Sequence, residues 1–433
     1  MHTSVGLDFG TTNSALAVAD RERRVTLERF GRTGADSLRS ILYFHPDRRG
    51  PRGVPEPVVG PEAIDRYLES DGDGRLLQSF KSHLASRSFQ ATGVFGRNFT
   101  LEALIAAFLK VLRARQPAAR RVVVGRPVRF AHADSAVDDD FAVGRLRGAL
   151  AEAGFDDVVF ELEPIAAAWH YEARLTRDER VLIADFGGGT SDFCLLTVGP
   201  SFRGAGRAAR GQSILGTEGV ALAGDAFDAQ IVLHAVAPAL GKGSMVRSYM
   251  EKDPDKVLPV PPWIYGKLAR WHTLSFLKSP ETLRFIAETR AQSLEPAKIA
   301  ALEHVIDADL GYRLYQAVER VKRTLSTADS AELALEDGPL KLKKRVTRKQ
   351  FEGWIGDELG RIEAAVERLL ASTGVAASSV DRVFMTGGSS LVPAVRRLFE
   401  RRFGAAKLAG QRDDELTSVA QGLALAGLDQ GSW

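Results

Sequence analysis

Apolar residues along this chain gather in short runs, and two pairs of runs share one grammar. Val5–Leu7 and Ala15–Val18 form the first pair, Leu182–Ala184 and Phe193–Leu196 the second, and each pair flanks turn-forming residues. That pattern predicts two strands joined by a tight turn. The turns read Asp8-Phe9-Gly10-Thr11-Thr12-Asn13-Ser14 and Asp185-Phe186-Gly187-Gly188-Gly189-Thr190-Ser191-Asp192. Three successive glycines weaken a hairpin unless the backbone needs positive φ or must approach something closely. A third apolar run, Arg382–Thr386, enters Gly387-Gly388-Ser389-Ser390 and then an amphipathic helix over Ala394–Phe403, with Pro393 at its start. Glu163-Pro164 opens another helix, Ile165–Arg174, with proline in the favoured first turn. The run LEPAKIAALEHVI also reads as helix, whereas Lys341, Lys343, Lys344, Arg345, Arg348 and Lys349 partly alternate with apolar residues and predict the wet face of a strand.

The two hairpins begin at Asp8 and Asp185, near the start of each half of the chain, which predicts two lobes of related build facing one another. A row of backbone N–H groups in such a turn makes an anion-binding nest, and an Asp at the end of its strand can hold a hydrated Mg²⁺. Two nests and two carboxylates across a cleft suit the phosphates and metal of a nucleotide. The competing reading of each hairpin is a glycine-rich surface turn. Other phosphate signatures are missing: there is no G-x-x-x-x-G-K-[ST], no G-x-G-x-x-G after a strand, and no H-R-D loop to make Asp-Phe-Gly a protein-kinase motif. The eight histidines form no H-E-x-x-H or Cys/His cluster, which argues against zinc.

Composition narrows the class. With 433 residues, 45% of them hydrophobic and 26% charged, the chain is long enough for two or more globular domains. A net charge of +3, with Lys and Arg spread throughout, gives no nucleic-acid footprint. Cys194 is the single cysteine, so a disulfide framework is excluded and a reducing compartment is expected. The opening MHTSVGLDFG lacks an apolar signal core, and no apolar run reaches the roughly 20 residues a spanning helix needs. The expectation is a cytoplasmic protein with no membrane partner.

Together these motifs resemble the nucleotide-binding domain of the Hsp70 chaperones, within the actin-like ATPase superfamily. GLDFGTTNS is similar to that family's first phosphate motif, LIADFGGGTSD to the second, EPIAAAWHYE to the first connecting helix, FMTGGSSLVPAV to the adenosine motif, and Tyr315–Ser326 to the adenosine-contacting helix. GRPV at 125–128 and GFDDVVFELEPIAAAWHYEA most resemble the short YegD-like bacterial homologues. The resemblance implies an α/β, two-lobed actin-like ATPase (ribonuclease H-like) fold, with a mixed five-stranded sheet and helices in each lobe. Residues 1–176 would form lobe I, with 38–116 as its outer subdomain and 408–433 returning to it. Residues 177–407 would form lobe II, with 225–356 as its outer subdomain.

The same resemblance assigns roles. Gly10, Thr11, Thr12 and Asn13 would contact the phosphates of ATP or ADP; Gly187, Gly188, Gly189 and Thr190 would cradle the β- and γ-phosphates; Asp8 and Asp185 would hold Mg²⁺ through its waters. Thr190, Glu163 and Asp192 would orient the attacking water or set the metal shell, and Lys81 would offset charge developing on the γ-phosphate. Gly224, Gly387, Gly388 and Ser389 would border the nucleotide, opposite Glu319, Lys322, Arg323 and Ser326 at the ribose and adenine. Read without the resemblance, those last four are one face of an exposed, charge-paired helix, Lys81 is a solvated surface lysine, and Asp192 caps its own turn.

Several departures accompany the match. Leu391 stands where the family usually has an adenine-stacking arginine, Ala223-Gly224-Asp225 replaces Gly-Gly-Glu, and a late family Asp falls at Leu416 or its neighbours Asp414 and Glu415. Residues at about 237–310 read as an insertion in lobe II and as the surface for a protein partner or client. With Gly427–Trp433 as its last residues, the expectation is that the chain lacks a peptide-binding domain. The expected function is a slow Mg²⁺-dependent ATPase serving as a chaperone-related switch. The alternatives are a non-hydrolysing nucleotide sensor or scaffold, and a small-molecule kinase with Asp192 as base.

Overall fold

The computed structural model describes residues 3–31, 34–70, 74–119, 121–131, 133, 135–172, 175–202, 212–247, 256–270, 277–408 and 417–429, with residue 170 described by its backbone only. The chain divides into two compact units. The first comprises Met1–Gly224, Arg361–Leu391 and Val395–Trp433, and the second Asp225–Gly360 with Val392–Ala394.

Two sheets of matching connectivity form the centre of the first unit, beside a smaller three-stranded sheet and a two-stranded hairpin between residues 41 and 100. Strands β1 (Ser4–Asp8), β2 (Asn13–Ala19), β3 (Val25–Leu27), β4 (Arg121–Arg126) and β5 (Asp157–Leu162) lie in the order β3-β2-β1-β4-β5. Within that sheet β1, β4 and β5 pair in parallel, whereas β2 pairs antiparallel with both β1 and β3. Strands β6 (Glu179–Phe186), β7 (Ser191–Val198), β8 (Ile214–Val220) and β9 (Arg382–Thr386) repeat the arrangement as β8-β7-β6-β9. The first sheet holds the five expected strands and a short sixth, Leu38–Arg39, that pairs with β2. In the second, four strands are described, and a single parallel bridge between Val383 and Leu408 stands in the fifth position. Central strands are apolar on both sides, since the sheets are covered on both faces: Val5, Leu7, Leu182, Ile183 and Ala184 are all buried.

Two helices occupy the space between the sheets. Ser418–Asp429 packs on β1, β2 and β4, and Glu163–Glu172 packs on β6 and β7 and on Ser418–Asp429 itself. Arg174, the expected helix end, lies outside the described residues. Glycines permit this close approach. A Cβ on Gly6 would sit 2.3 Å from the Ala424 nitrogen, and one on Gly422 would sit 1.7 Å from the Ala166 carbonyl oxygen. Both obstacles are backbone and cannot rotate away, so Gly422→Ala must pry the two central helices apart. Overpacking of this kind costs about 1–3 kcal/mol or more. The expected result is a lower urea midpoint with an unchanged slope; an unaltered midpoint would show that the helices yield freely.

The far face of the first sheet is covered by helices Leu101–Arg113 and Ala136–Glu152, whose Leu104, Phe108, Leu112, Leu146 and Leu150 join Phe9 and Phe80 in one core. In the second unit, strands Ser330–Asp337 and Leu340–Thr347 form a hairpin. Leu333, Leu335, Leu342 and Val346 point inward, and Glu332 faces Arg345 and Glu336 faces Lys341 on the wet side. The basic alternation through Lys341 and Arg345 is therefore a wet strand face with opposite-charge cross-strand pairs, whereas Arg348 and Lys349 begin the helix Arg348–Trp354 rather than continuing the strand. The run LEPAKIAALEHVI forms helix Pro296–Asp307, with Pro296 at its first position and Ile299, Leu302, Val305 and Ile306 buried.

Candidate functional site

The site begins with an aromatic cluster. Phe9 stacks on Phe80 at 5.9 Å, and both pack against Phe108 at 5.9 and 5.6 Å. This fixes their neighbours, so that Asp8 at the end of β1 and Lys81 in the short turn Phe80–His83 feel one another's charge. Ser79 enters that turn in the left-handed region, at φ 54°. Lys81 is only 8% exposed, and its Nζ donates to Glu163 Oε1 at 2.7 Å. It is a buried, paired residue rather than a solvated surface lysine. Glu163 starts its helix beside Gly125 of β4, where a Cβ would come within 3.1 Å of the Glu163 Cγ.

The second hairpin adds two acids. Asp185 on β6 lies opposite Asp192 on β7 and beside Thr386 on β9, whose hydroxyl donates to Asp185 Oδ1 at 2.5 Å. Asp192 is 1% exposed. Its Oδ1 accepts from the backbone N–H of Val128 at 2.7 Å and of Arg129 at 3.3 Å, besides bonding Thr190 in its own turn. The GRPV segment thus docks onto the second hairpin through Asp192.

Backbone geometry explains the glycines. A Cβ on Gly10 would lie 2.0 Å from the Asn13 carbonyl oxygen, so only glycine closes the first turn. Gly187 N–H donates to the Thr190 carbonyl at 2.9 Å, and Gly224 N–H reaches the Gly187 carbonyl at 3.4 Å. Gly387 has φ +79°, and a Cβ there would strike the Phe186 carbonyl oxygen at 2.1 Å. Asn13, Gly187 and Gly388 are exposed, Thr11, Thr12, Gly188, Gly189 and Thr190 are half-buried, and Ser389 is buried. Ser40 escaped the sequence reading. Its hydroxyl donates to the Gly10 carbonyl at 2.7 Å and its N–H to Thr12 at 2.9 Å, while Ser14 Oγ lies 2.9 Å from its oxygen. A lone serine far along the chain carries no motif that would have flagged this brace.

Glu319, Lys322, Arg323 and Ser326 belong to the second unit, on helix Gly311–Thr327. Lys322 Nζ bonds Asp228 Oδ2 at 2.7 Å, Ser326 Oγ donates to the Lys322 carbonyl at 3.3 Å, and Arg323 is exposed. Leu391 is 45% exposed. Leu416, Asp414 and Glu415 lie outside the described residues.

Among the described residues, the four carboxyls Asp8, Glu163, Asp185 and Asp192 thus surround the ammonium of Lys81. Burial, then the charges of Glu163 and Asp185, push the Asp8 carboxyl up to about 8 against the opposing pull of Lys81. Burial and Glu163 push Asp185 up to about 6, and burial and Glu163 also hold Asp192 well above the usual range. For Lys81, burial works to lower the value, but the Glu163 and Asp8 charges with the Glu163 hydrogen bond raise it on balance. Among the described residues no three His, Cys, Asp or Glu side chains cluster tightly enough to cage a metal. A buried excess of negative charge without a cage suits a divalent cation taken together with its water shell.

These shifts set a pH dependence. The folded chain holds protons on Asp8 and Asp185 that the unfolded chain releases near 3.8, so stability declines as pH rises through about 6 and on to about 8. Melting of the metal-free protein should show this decline, and Asp8→Asn should flatten its upper part. A melting temperature that rises across that range would contradict the charge imbalance.

The Hsp70 protein family model matches residues 298–431. The chaperone protein DnaK of Trichormus variabilis (strain ATCC 29413 / PCC 7937) is 26% identical over 454 aligned positions, covering 99% of this chain and 55% of that protein. The chaperone protein dnaK1 of Nostoc sp. (strain PCC 7120 / SAG 25.82 / UTEX 2576) is similar to the same extent, 26% over 454 positions with the same coverage. The chain spans about half the length of the curated relatives it matches. With the repeated sheets and paired Asp-Phe-Gly hairpins of its first unit, the chain is similar to the Hsp70 proteins, and its mixed α/β architecture is that of an actin-like ATPase fold.

Proposed function

We propose that this chain binds ATP and ADP with Mg²⁺ and hydrolyses ATP slowly, as a chaperone-related nucleotide switch. The observation that carries the reading is the buried Lys81–Glu163 pair standing among Asp8, Asp185 and Asp192, because four acids beside one lysine are costly to bury unless a cation offsets their excess negative charge, and that cation in turn can carry phosphate. Backbone N–H groups of Gly10–Asn13 and Gly188–Thr190 receive the phosphates, with Gly187 closing the second cradle, and Asp8 and Asp185 would hold the metal's waters. Mg²⁺ supplies charge neutralisation on the β- and γ-phosphates. Lys81 offsets charge growing on the γ-phosphate, and Thr190, Glu163 and Asp192 orient the attacking water. Gly224 and Gly387–Ser389 border the nucleotide; Glu319, Lys322, Arg323 and Ser326 are proposed for its ribose and base.

Single-turnover phosphate release decides between two readings. Slow Mg²⁺-dependent release supports the ATPase; tight binding with no release supports a nucleotide sensor, the reading that Leu391 favours, since an exposed leucine cannot stack as an arginine does. The kinase reading is weakened by Asp192, which commits Oδ1 to two backbone amides.

The proposal extends to a YegD-like subtype and to a lobe boundary near residue 176. It also places a protein partner on the insertion at about 237–310, where Leu258, Trp263 and Leu294 are exposed. Among the described residues no helix is long and apolar enough to cross a membrane.

A further inference from the structure

Lys81 sits on a turn whose side chains reach the core at both ends, Phe80 in the aromatic cluster and Leu84 and Ala85 beyond it, but whose backbone carbonyls at the trailing end need partners of their own. Arg145, on helix Ala136–Glu152, meets this trailing end. It is 8% exposed, and its Nη1 donates to the backbone carbonyls of Ser86 at 3.2 Å and His83 at 3.4 Å. The opposite edge of the guanidinium is fixed by Glu102, with Nε to Oε1 at 2.5 Å and Nη2 to Oε2 at 3.4 Å. Glu102 belongs to helix Leu101–Arg113, the helix that also supplies Phe108 to the cluster under Phe80. The ring of Phe141 lies 5.5 Å from the guanidinium carbon and completes its surroundings.

One helix therefore controls both ends of the turn, through Phe108 at Phe80 and through the Glu102–Arg145 fork at His83 and Ser86. A planar guanidinium can hold a carboxylate on one edge and two carbonyls on another; a lysine ammonium cannot span both. Tight control is required here because Ser79 enters the turn with a left-handed backbone, a conformation that persists only when its surroundings impose it.

We propose that Arg145 is a positioning residue for Lys81: it fixes the Phe80–His83 turn so that the ammonium is held at Glu163 and presented to the transferred phosphoryl group. The proposal rests on the reading that Lys81 acts on the γ-phosphate, but the fixing of the turn is testable without turnover.

The experiment compares the full chain with Arg145→Met and Arg145→Lys. Amide hydrogen exchange is followed over residues 80–86, and the rate at which an amine-reactive acetylating reagent modifies Lys81 is read by mass spectrometry. Both variants should exchange faster at 80–86 and expose Lys81 to faster acetylation, with exchange in helix Leu101–Arg113 unchanged. Where the parent hydrolyses ATP, kcat should fall about 10-fold to 100-fold in Arg145→Met, as expected for misplacement of a catalytic group, with ADP affinity unaltered. A merely structural loss would shift both quantities. Should Arg145→Met fail to fold, Arg145→Lys, which keeps the charge facing Glu102, carries the test. Parent-like acetylation of Lys81 and parent-like exchange at 80–86 in the folded variant would overturn the proposal. A parent chain that binds no nucleotide would sink the catalytic reading instead, leaving the turn measurements to judge Arg145.

Discussion

Lys81→Met should lower single-turnover phosphate release by about 100-fold to 1,000-fold, the usual cost of removing one preorganised donor from a developing negative charge, while ADP still binds. Lys81 Nζ is the only ammonium described among Asp8, Glu163, Asp185 and Asp192, and it is fixed at 2.7 Å from Glu163. Removing it leaves buried carboxylates uncompensated, which ordinarily costs about 3–5 kcal/mol. The acids can meet part of that cost by taking up protons, since Asp8 already holds one up to about pH 8 and Asp185 up to about 6. The variant should therefore fold best at mildly acidic pH, and its release rate is to be measured there beside the parent. Equal rates would reduce Lys81 to a structural partner of Glu163.

Asp185→Ala should separate cation binding from stability. The expected loss of Mg²⁺-dependent ATP affinity is about 100-fold, at the upper end of what a group orienting metal-bound waters contributes. Stability should move little, or upward at alkaline pH, because the substitution removes one of the charges that repel Asp8 and frees only the Thr386 hydroxyl. Calorimetric titrations with and without Mg²⁺, beside thermal melts, provide both readouts. A variant that unfolds, or one whose Mg²⁺ dependence matches the parent, would show that Asp185 serves the sheet rather than the ion.

Local grammar made much of this legible in the sequence. The Asp-Phe-Gly hairpins, the Gly387 turn and the Pro296 helix announce themselves because periodicity and glycine sterics act over a few residues. Tertiary pairing was less visible. Lys81 looked like any surface lysine until Phe9, Phe80 and Phe108 placed it against Glu163, 82 positions away in sequence. Ser40 and Arg145 carry no signal at all in one sequence, because each acts on backbone carbonyls of a distant segment, and a carbonyl has no sequence identity. In the second sheet, the expected fifth strand is a single bridge at Leu408 among the described residues.

Calorimetric titration of the purified chain with ADP and with ATP, in Mg²⁺ and in its absence, bears most directly on whether the paired hairpins form a nucleotide site. Micromolar or tighter binding that depends on Mg²⁺, with a proton released as Asp8 gives up its own, is the predicted result. Absence of binding at neutral pH, with the protein folded, would contradict it and leave the two Asp-Phe-Gly turns as shape without ligand.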